Sequence, residues 1–281
     1  MSVDQKTACK RLAVDAAQRR HPAGRQMLSR KPAALLLVAA AATFGAGGLL
    51  AWLVFLLWGP PAVVDLGLDS AASLLLDVAL CLLFFTQHST MVRRWFRLWL
   101  TRRVHADFHG ALYAGVSGIC LLVLTGLWQP VGTALWSPAP PIQWFMRGIC
   151  LAAVLAAWWG ARSLGDFDSL GIRSAMGALQ GKSTAASPPF TVRGPYRWVR
   201  HPLYLFSLIM IWSGPVFTID RLLHNGLWTV WIVIGAALEE RDLTACFGDG
   251  YRSYRQHVPM LLPRSVKPLV PRFKEPSRHD R

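Results

Sequence analysis

Charge is scarce in this sequence. Only 16% of its 281 residues are charged, and the 15 Asp and Glu are outnumbered by 30 Lys and Arg. With 53% hydrophobic residues and 13 Trp, an ordinary soluble domain would leave far too much apolar surface in water, so that class is excluded. Cysteine is sparse as well. Cys9, Cys81, Cys120, Cys150 and Cys246 form no CxxC pair and no metal-ligand spacing, which removes zinc-ribbon and thioredoxin-type sites; no metal is expected. Three of the five lie inside apolar runs and read as small buried hydrophobes. There is no internal repeat. The net charge of +15 could suit a nucleic-acid partner, but the basic residues sit between long apolar runs, a placement that fits membrane topology rather than phosphate binding.

The apolar runs define the architecture. Ala33 to Trp58 carries no charge, long enough at about 1.5 Å per residue to cross about 30 Å of hydrocarbon, and Gly59, Pro60 and Pro61 stop it. The preceding stretch is too long and too acidic, with Asp4 and Asp15, for a secretory signal, so an uncleaved anchor is expected. Further spans are expected at Leu66 to Phe85, Gly110 to Trp128 and Ile142 to Trp159. Two shorter runs, Leu203 to Ile219 and Leu227 to Leu238, are separated by Asp220, Arg221, His224, Asn225 and Gly226. They predict a helical hairpin whose second arm starts near Asn225 and ends at Glu239 and Glu240. The expected fold is all-α: a polytopic membrane protein of about six transmembrane helices with a short C-terminal helical hairpin.

Lys and Arg alternate strictly between the connecting segments. Eight precede the first span, five lie in residues 86 to 109, six in 160 to 202 and nine after Glu240, whereas the segments after the first and third spans carry none. Positive residues mark cytoplasmic loops. A bacterial inner-membrane location with both termini cytoplasmic follows, with membrane lipid as surroundings. Residues 1–31 read as a basic cytoplasmic arm, 32–263 as the membrane domain and 264–281 as a basic cytoplasmic tail. The sequence leaves the oligomeric state open.

Ionisable and polar groups at membrane depth are costly and mark structural bonds or function. Asp77, Gln87 and His88 lie in or near the second span, and His88 follows Phe84 and Phe85 at its cytoplasmic boundary. The denser signal runs from Arg193 to Tyr204. Gly194-Pro195 makes a turn, the bond before Pro202 favours an extended His201, and Pro202 opens the fifth helix. Arg200, His201 and the helix amides thus meet at one interface, suited to an anionic group such as a carboxylate; interfacial anchoring by the Arg, Trp and Tyr is the plainer alternative. The hairpin returns Glu239, Glu240, Tyr251 and Tyr254 to the same face. Adjacent glutamates point about 100° apart on a helix, so one can turn inward to accept from a diol or an amine, while the two tyrosines share a face that could stack a purine.

The blocks Arg200-His201-Pro202-Leu203-Tyr204, Glu239-Glu240-Arg241-Asp242-Leu243, and Gly250-Tyr251 with Tyr254, Val258, Pro259 and Pro263 resemble those of the isoprenylcysteine carboxyl methyltransferase superfamily over roughly residues 188–263. Phe84 to Met91 and Phe167 to Arg173 make the chain most similar to its bacterial methanethiol S-methyltransferase and NnrU branch. The resemblance implies S-adenosyl-L-methionine as cofactor, bound by Arg200, His201, Pro202, Tyr204, Glu239, Glu240, Tyr251 and Tyr254 in a part spanning about 188–263. It also implies methyl transfer to a small thiol such as methanethiol. One position departs: Phe206 stands where the family usually has glycine.

A thiolate attacking a sulfonium annihilates two charges, so an apolar pocket favours the reaction and alignment is the protein's main task. His88 and Asp166, with Asp168 beside it, are the candidates for taking the thiol proton. Carboxyl methylation of a protein cysteine, a sterol-reductase-like nicotinamide enzyme and a non-enzymatic NnrU-like membrane protein remain as alternatives.

Overall fold

The computed structural model describes residues 31–61, 63–165, 168–180 and 191–270, with the backbone of 273–274. The protein is all-α. Helix α1 (Lys31–Trp58) is followed by α2 (Ser70–Met91), a short α3 (Arg94–Leu100) and α4 (His109–Leu127), which a 3-10 turn at Ala106–Phe108 introduces. Then come α5 (Pro140–Arg162), a short α6 (Ile172–Leu179), α7 (Pro202–Trp212) and α8 (Ile219–His257). A two-residue ladder pairs β1 (Thr191–Val192) with β2 (Phe273–Lys274). Five helices are long and apolar enough to cross a membrane: α1, α2, α4 with its 3-10 turn, α5 and α8.

Local chemistry sets the ends. Gly59, at φ 92°, breaks α1 before the proline pair. Asp69 caps α2 by accepting from the Ala72 amide at 2.8 Å, so that helix starts later than its apolar run. Pro140 and Pro141 occupy the first turn of α5, and Pro202 opens α7.

Lipid tails are as apolar as leucine, so hydrophobicity alone does not drive one helix onto another, and close packing must. Helices α1 and α4 meet through glycines. A Cβ built at Gly48 would lie 2.3 Å from the Gly118 carbonyl oxygen, and one at Gly118 2.0 Å from that of Phe44. On the other side α8 packs on α1 and α2 through aromatic rings. Trp228 stacks on Trp52 at 4.7 Å and on Phe84 at 5.0 Å, and Trp231 stacks on Phe85 at 4.7 Å.

The hairpin is present but differs from its expected bounds. Helix α7 has 11 residues, about 16 Å at about 1.5 Å per residue, and ends well before Ile219. Ser213 to Thr218 complete the return without helix, and Phe217 exchanges backbone hydrogen bonds with Trp136 in the α4–α5 loop. Irregular backbone at such depth must be covered by protein. Here Arg221 lies against Gly214 and donates to the carbonyls of Phe55 and Leu56 at the end of α1.

The second arm begins at Ile219 rather than near Asn225. Asp220, Arg221, His224 and Asn225, expected in the turn, are buried inside the helix. Partners from other elements allow this. Trp128 donates to Asp220 at 2.9 Å and Trp52 to His224 at 3.4 Å. From Ile219 to Glu239 the helix therefore covers about 30 Å, a full crossing. It does not stop at the glutamates but continues to His257, with a kink at Gly248 (φ 55°, ψ −128°).

Candidate active site

The two adjacent glutamates have different surroundings. Glu240 is enclosed by donors. Arg200 grips it with Nε at 2.7 Å and a terminal nitrogen at 3.0 Å, the His201 Nε2 lies at 2.9 Å, the Tyr251 hydroxyl donates at 2.9 Å and the Arg255 Nε lies at 2.9 Å. Arg200 also donates to the carbonyls of Arg255 and Val258, and the amides of Arg200 and His201 donate to those of Pro259 and Met260. The segment after α8 is thereby bound to the start of α7. A carboxylate can only accept, so the His201 nitrogen facing it carries the hydrogen. Burial pushes His201 below its ordinary pKa of 6.5, against the opposing effect of the Glu240 bond, which leaves the ring neutral.

Glu239 faces elsewhere. Its Oε2 accepts from the Tyr204 hydroxyl at 2.7 Å, and both residues line a cavity of about 230 Å³ between α2, α4 and α8. His201 stacks on Tyr204 with ring planes 17° apart and its Nδ1 4.0 Å from Glu239, which couples the ion-pair cluster to the cavity wall. His88, Tyr113 and Trp231 line the same cavity. The Tyr113 hydroxyl lies 2.9 Å from Nδ1 and 2.7 Å from Nε2 of His88. Trp231 sets its ring edge-on to His88 at 5.0 Å and donates to Ser89 at 3.1 Å.

Of the residues expected in the site, His88, Tyr204 and Glu239 are brought to this cavity, and Asp168 lines it while accepting from the Ser174 amide at 2.8 Å. Arg200, His201 and Glu240 lie behind the wall as the ion-pair cluster, with Pro202 at the first position of α7. Tyr251 and Tyr254 are buried in an apolar cluster with Tyr196 and Leu243, and Tyr254 donates to the Tyr196 carbonyl at 2.6 Å; neither lines this cavity. Asp166 lies outside the described residues. Asp77 is at the other end of α2, where it accepts from the Gln129 amide at 3.0 Å. Phe206 turns toward Gly160 of α5 and does not line the cavity. Among the described residues no cluster of metal-ligating side chains exists.

Sequence reading missed Tyr113, Trp231, Gly235 and the basic pair Arg93 and Arg97 in the lining. Part of the signal was available, because Trp231, Gly235 and Glu239 are spaced four apart and share one helix face.

Five membrane-length helices, with a cavity at one end of the bundle lined by a carboxylate, an imidazole and aromatic rings, define an integral membrane protein. Comparison with known proteins gives its family. The chain is 34% identical to methanethiol S-methyltransferase 1 of Bradyrhizobium diazoefficiens over 219 residues, 73% of this chain and 74% of that protein. It is 33% identical to methanethiol S-methyltransferase of Mycobacterium tuberculosis, over 72% of this chain and 84% of that one. A more distant similarity, 26% over 61% of this chain and 68% of that protein, links it to nurim of Pan troglodytes. No family model matches the chain, and no solved structure matches it. The chain belongs to the methanethiol S-methyltransferase family and is a membrane methyltransferase.

Proposed function

We propose that the protein transfers a methyl group from S-adenosyl-L-methionine to methanethiol, giving dimethyl sulfide, in the cavity bounded by His88, Tyr113, Tyr204, Trp231 and Glu239. The observation that carries this reading is the division of labour between the glutamates. Glu240 is consumed by a buried ion-pair cluster, whereas Glu239 and Tyr204 line a cavity that an imidazole also lines.

The lining fits the donor. A Cβ built at Gly235 meets nothing within 4 Å, so the helix leaves open space where any other residue would place a side chain. Glu239 and Tyr204 suit an ammonium or a ribose diol, Arg93 and Arg97 suit a carboxylate, and the rings of Tyr113 and Trp231 suit a sulfonium cation. When bound, this cofactor supplies an electrophilic methyl group. The protein's own part is to exclude water with Trp231 and its aromatic neighbours, to hold Glu239 fixed through Tyr204, and to take the thiol proton on a His88 ring nitrogen. A thiolate is far more nucleophilic in such a poorly solvated wall than in water. Arg200, His201, Glu240, Tyr251 and Tyr254 act in this reading as the frame that sets Tyr204 and Glu239.

The superfamily resemblance of residues 188–263 and the Lys and Arg alternation complete the reading: donor binding by that part, an inner-membrane location, and basic cytoplasmic arms at 1–31 and 264–281. Headspace gas chromatography of cells that express the protein and are fed methanethiol tests it. Dimethyl sulfide above the vector control is expected. Methylation of a farnesylcysteine analogue with none of methanethiol would replace the thiol reading by the carboxyl methyltransferase one.

A further inference from the structure

The end of α2 that carries His88 is fixed from two sides. Gln87 donates to Ser117 of α4 at 3.2 Å, and Ser89 accepts from Trp231 of α8 at 3.1 Å. Between them, His88 meets Tyr113, which lies one turn before Ser117 on α4. Three consecutive residues of α2 are thus bound to two neighbouring helices, and only the middle one carries a titratable side chain. The Tyr113 hydroxyl lies within 3 Å of both His88 ring nitrogens, 2.9 Å from Nδ1 and 2.7 Å from Nε2. A phenol hydroxyl both donates and accepts. By accepting from the one N–H of the neutral ring it leaves the other nitrogen bare for the thiol proton, and it keeps that same bond once the ring is protonated.

We propose that Tyr113 is a positioning residue for methyl transfer, holding His88 through both of its protonation states so that one ring nitrogen receives the acceptor's proton. The inference rests on the thiol methyltransferase reading given above. The step balances. The S–H bond breaks and its proton moves to the His88 nitrogen, the sulfur electron pair forms a bond to the methyl carbon, and the donor's carbon–sulfur bond breaks with its electrons returning to the sulfonium sulfur. The products are a thioether, the demethylated donor and an imidazolium that Tyr113 stabilises by accepting its N–H. No oxidant or further reactant is required. A hydroxyl that serves both states keeps the ring from turning away as its charge changes, which is what repeated turnover needs of a proton acceptor.

Tyr113→Phe removes the hydroxyl and retains the ring that packs 5.0 Å from His88, so the fold is preserved. The test compares wild type, Tyr113→Phe, His88→Ala and the double variant in nanodiscs. Dimethyl sulfide formation is followed against pH, donor affinity by calorimetry, and histidine ring titration by NMR of 15N-histidine-labelled protein. His88→Ala is expected to lower turnover about a hundredfold and Tyr113→Phe about tenfold. Donor affinity should stay unchanged, and the double variant should be no slower than His88→Ala, because the hydroxyl acts only through the imidazole. The labelled His88 resonances should shift their titration midpoint or tautomer in Tyr113→Phe.

If Tyr113→Phe slows the His88→Ala protein as much as it slows wild type, or if the His88 resonances titrate unchanged, the proposal is overturned and the thiol reading stands. If the wild-type protein is folded and binds donor but leaves methanethiol untouched, the thiol reading itself fails and takes this role with it.

Discussion

Exchanging either adjacent glutamate for glutamine is the same chemical change, yet the two should damage different properties. Glu240 is 5% exposed and surrounded by Arg200, His201, Tyr251 and Arg255, all donating. Glu240→Gln places an amide NH2 among those donors. With the amide oxygen kept at Oε1, the bonds that Oε2 accepts from Arg200 and Arg255 are lost and those from Arg200 Nε, His201 and Tyr251 lose the carboxylate's charge, a charge-assisted bond being worth about 1.5–3 kcal/mol. Arg255 is discounted here because its side chain is 44% exposed. The loss is about 3–5 kcal/mol, in line with the cost of breaking a buried ion pair. At about 2–4 °C per kcal/mol for a chain this size, Tm should fall by about 10 °C. Glu239→Gln retains an oxygen for the Tyr204 hydroxyl and should lower Tm less than Glu240→Gln does, while weakening donor binding about tenfold or more. Thermal unfolding of purified protein in detergent, followed by tryptophan fluorescence at one scan rate, reads the first effect, and calorimetry with S-adenosylmethionine below both transitions reads the second. A Glu240→Gln protein as stable as wild type, or a Glu239→Gln protein that loses stability but not affinity, would refute the assignment of frame and site.

Three further outcomes follow from particular contacts. Gly235→Val should abolish turnover and leave Tm nearly unchanged, because its side chain enters open cavity space; an active variant would mean that the donor binds elsewhere. Gly48→Ala should sharply reduce folded yield, since the new methyl would sit 2.3 Å from the Gly118 carbonyl oxygen, and wild-type yield on size-exclusion chromatography would contradict the α1–α4 contact. His201 is held neutral by burial, with its pKa below 6.5 in the folded chain, so unfolding takes up a proton as pH falls through about 6.5. Stability at higher pH should be retained and then lost as pH drops from about 6.5 toward the depressed folded value; His201→Gln should flatten that part of a Tm-against-pH curve.

Much of this was legible in the chain. The four long spans follow from long apolar runs ended by Gly, Pro or charge, since a bilayer demands length and apolarity and little else. The different facing of Glu239 and Glu240 follows from helix geometry, and the approach of His201 and Tyr204 to them from the hairpin. What escaped was decided by partners distant in sequence. Asp220, Arg221, His224 and Asn225 look like a turn until Trp128, Trp52 and the end of α1 supply their bonds, and only then is α8 long enough to cross. Tyr251 and Tyr254 share a helix face, as their spacing requires, but that face packs against Tyr196 and Leu243 rather than against the cavity. Tyr113 carries no local motif at all; its meaning comes from His88, 25 residues earlier on another helix.

The central claim is that methyl passes from a sulfonium donor to a small thiol within this protein. Purified protein in nanodiscs supplied with S-adenosylmethionine deuterated in its methyl group and with unlabelled methanethiol tests it most directly, by mass spectrometry of the headspace. Dimethyl sulfide carrying one deuterated methyl is expected from wild type, and strongly reduced amounts of it from Glu239→Gln. Donor binding by folded wild-type protein with no labelled dimethyl sulfide, at any pH at which methanethiol is partly thiolate, would contradict it.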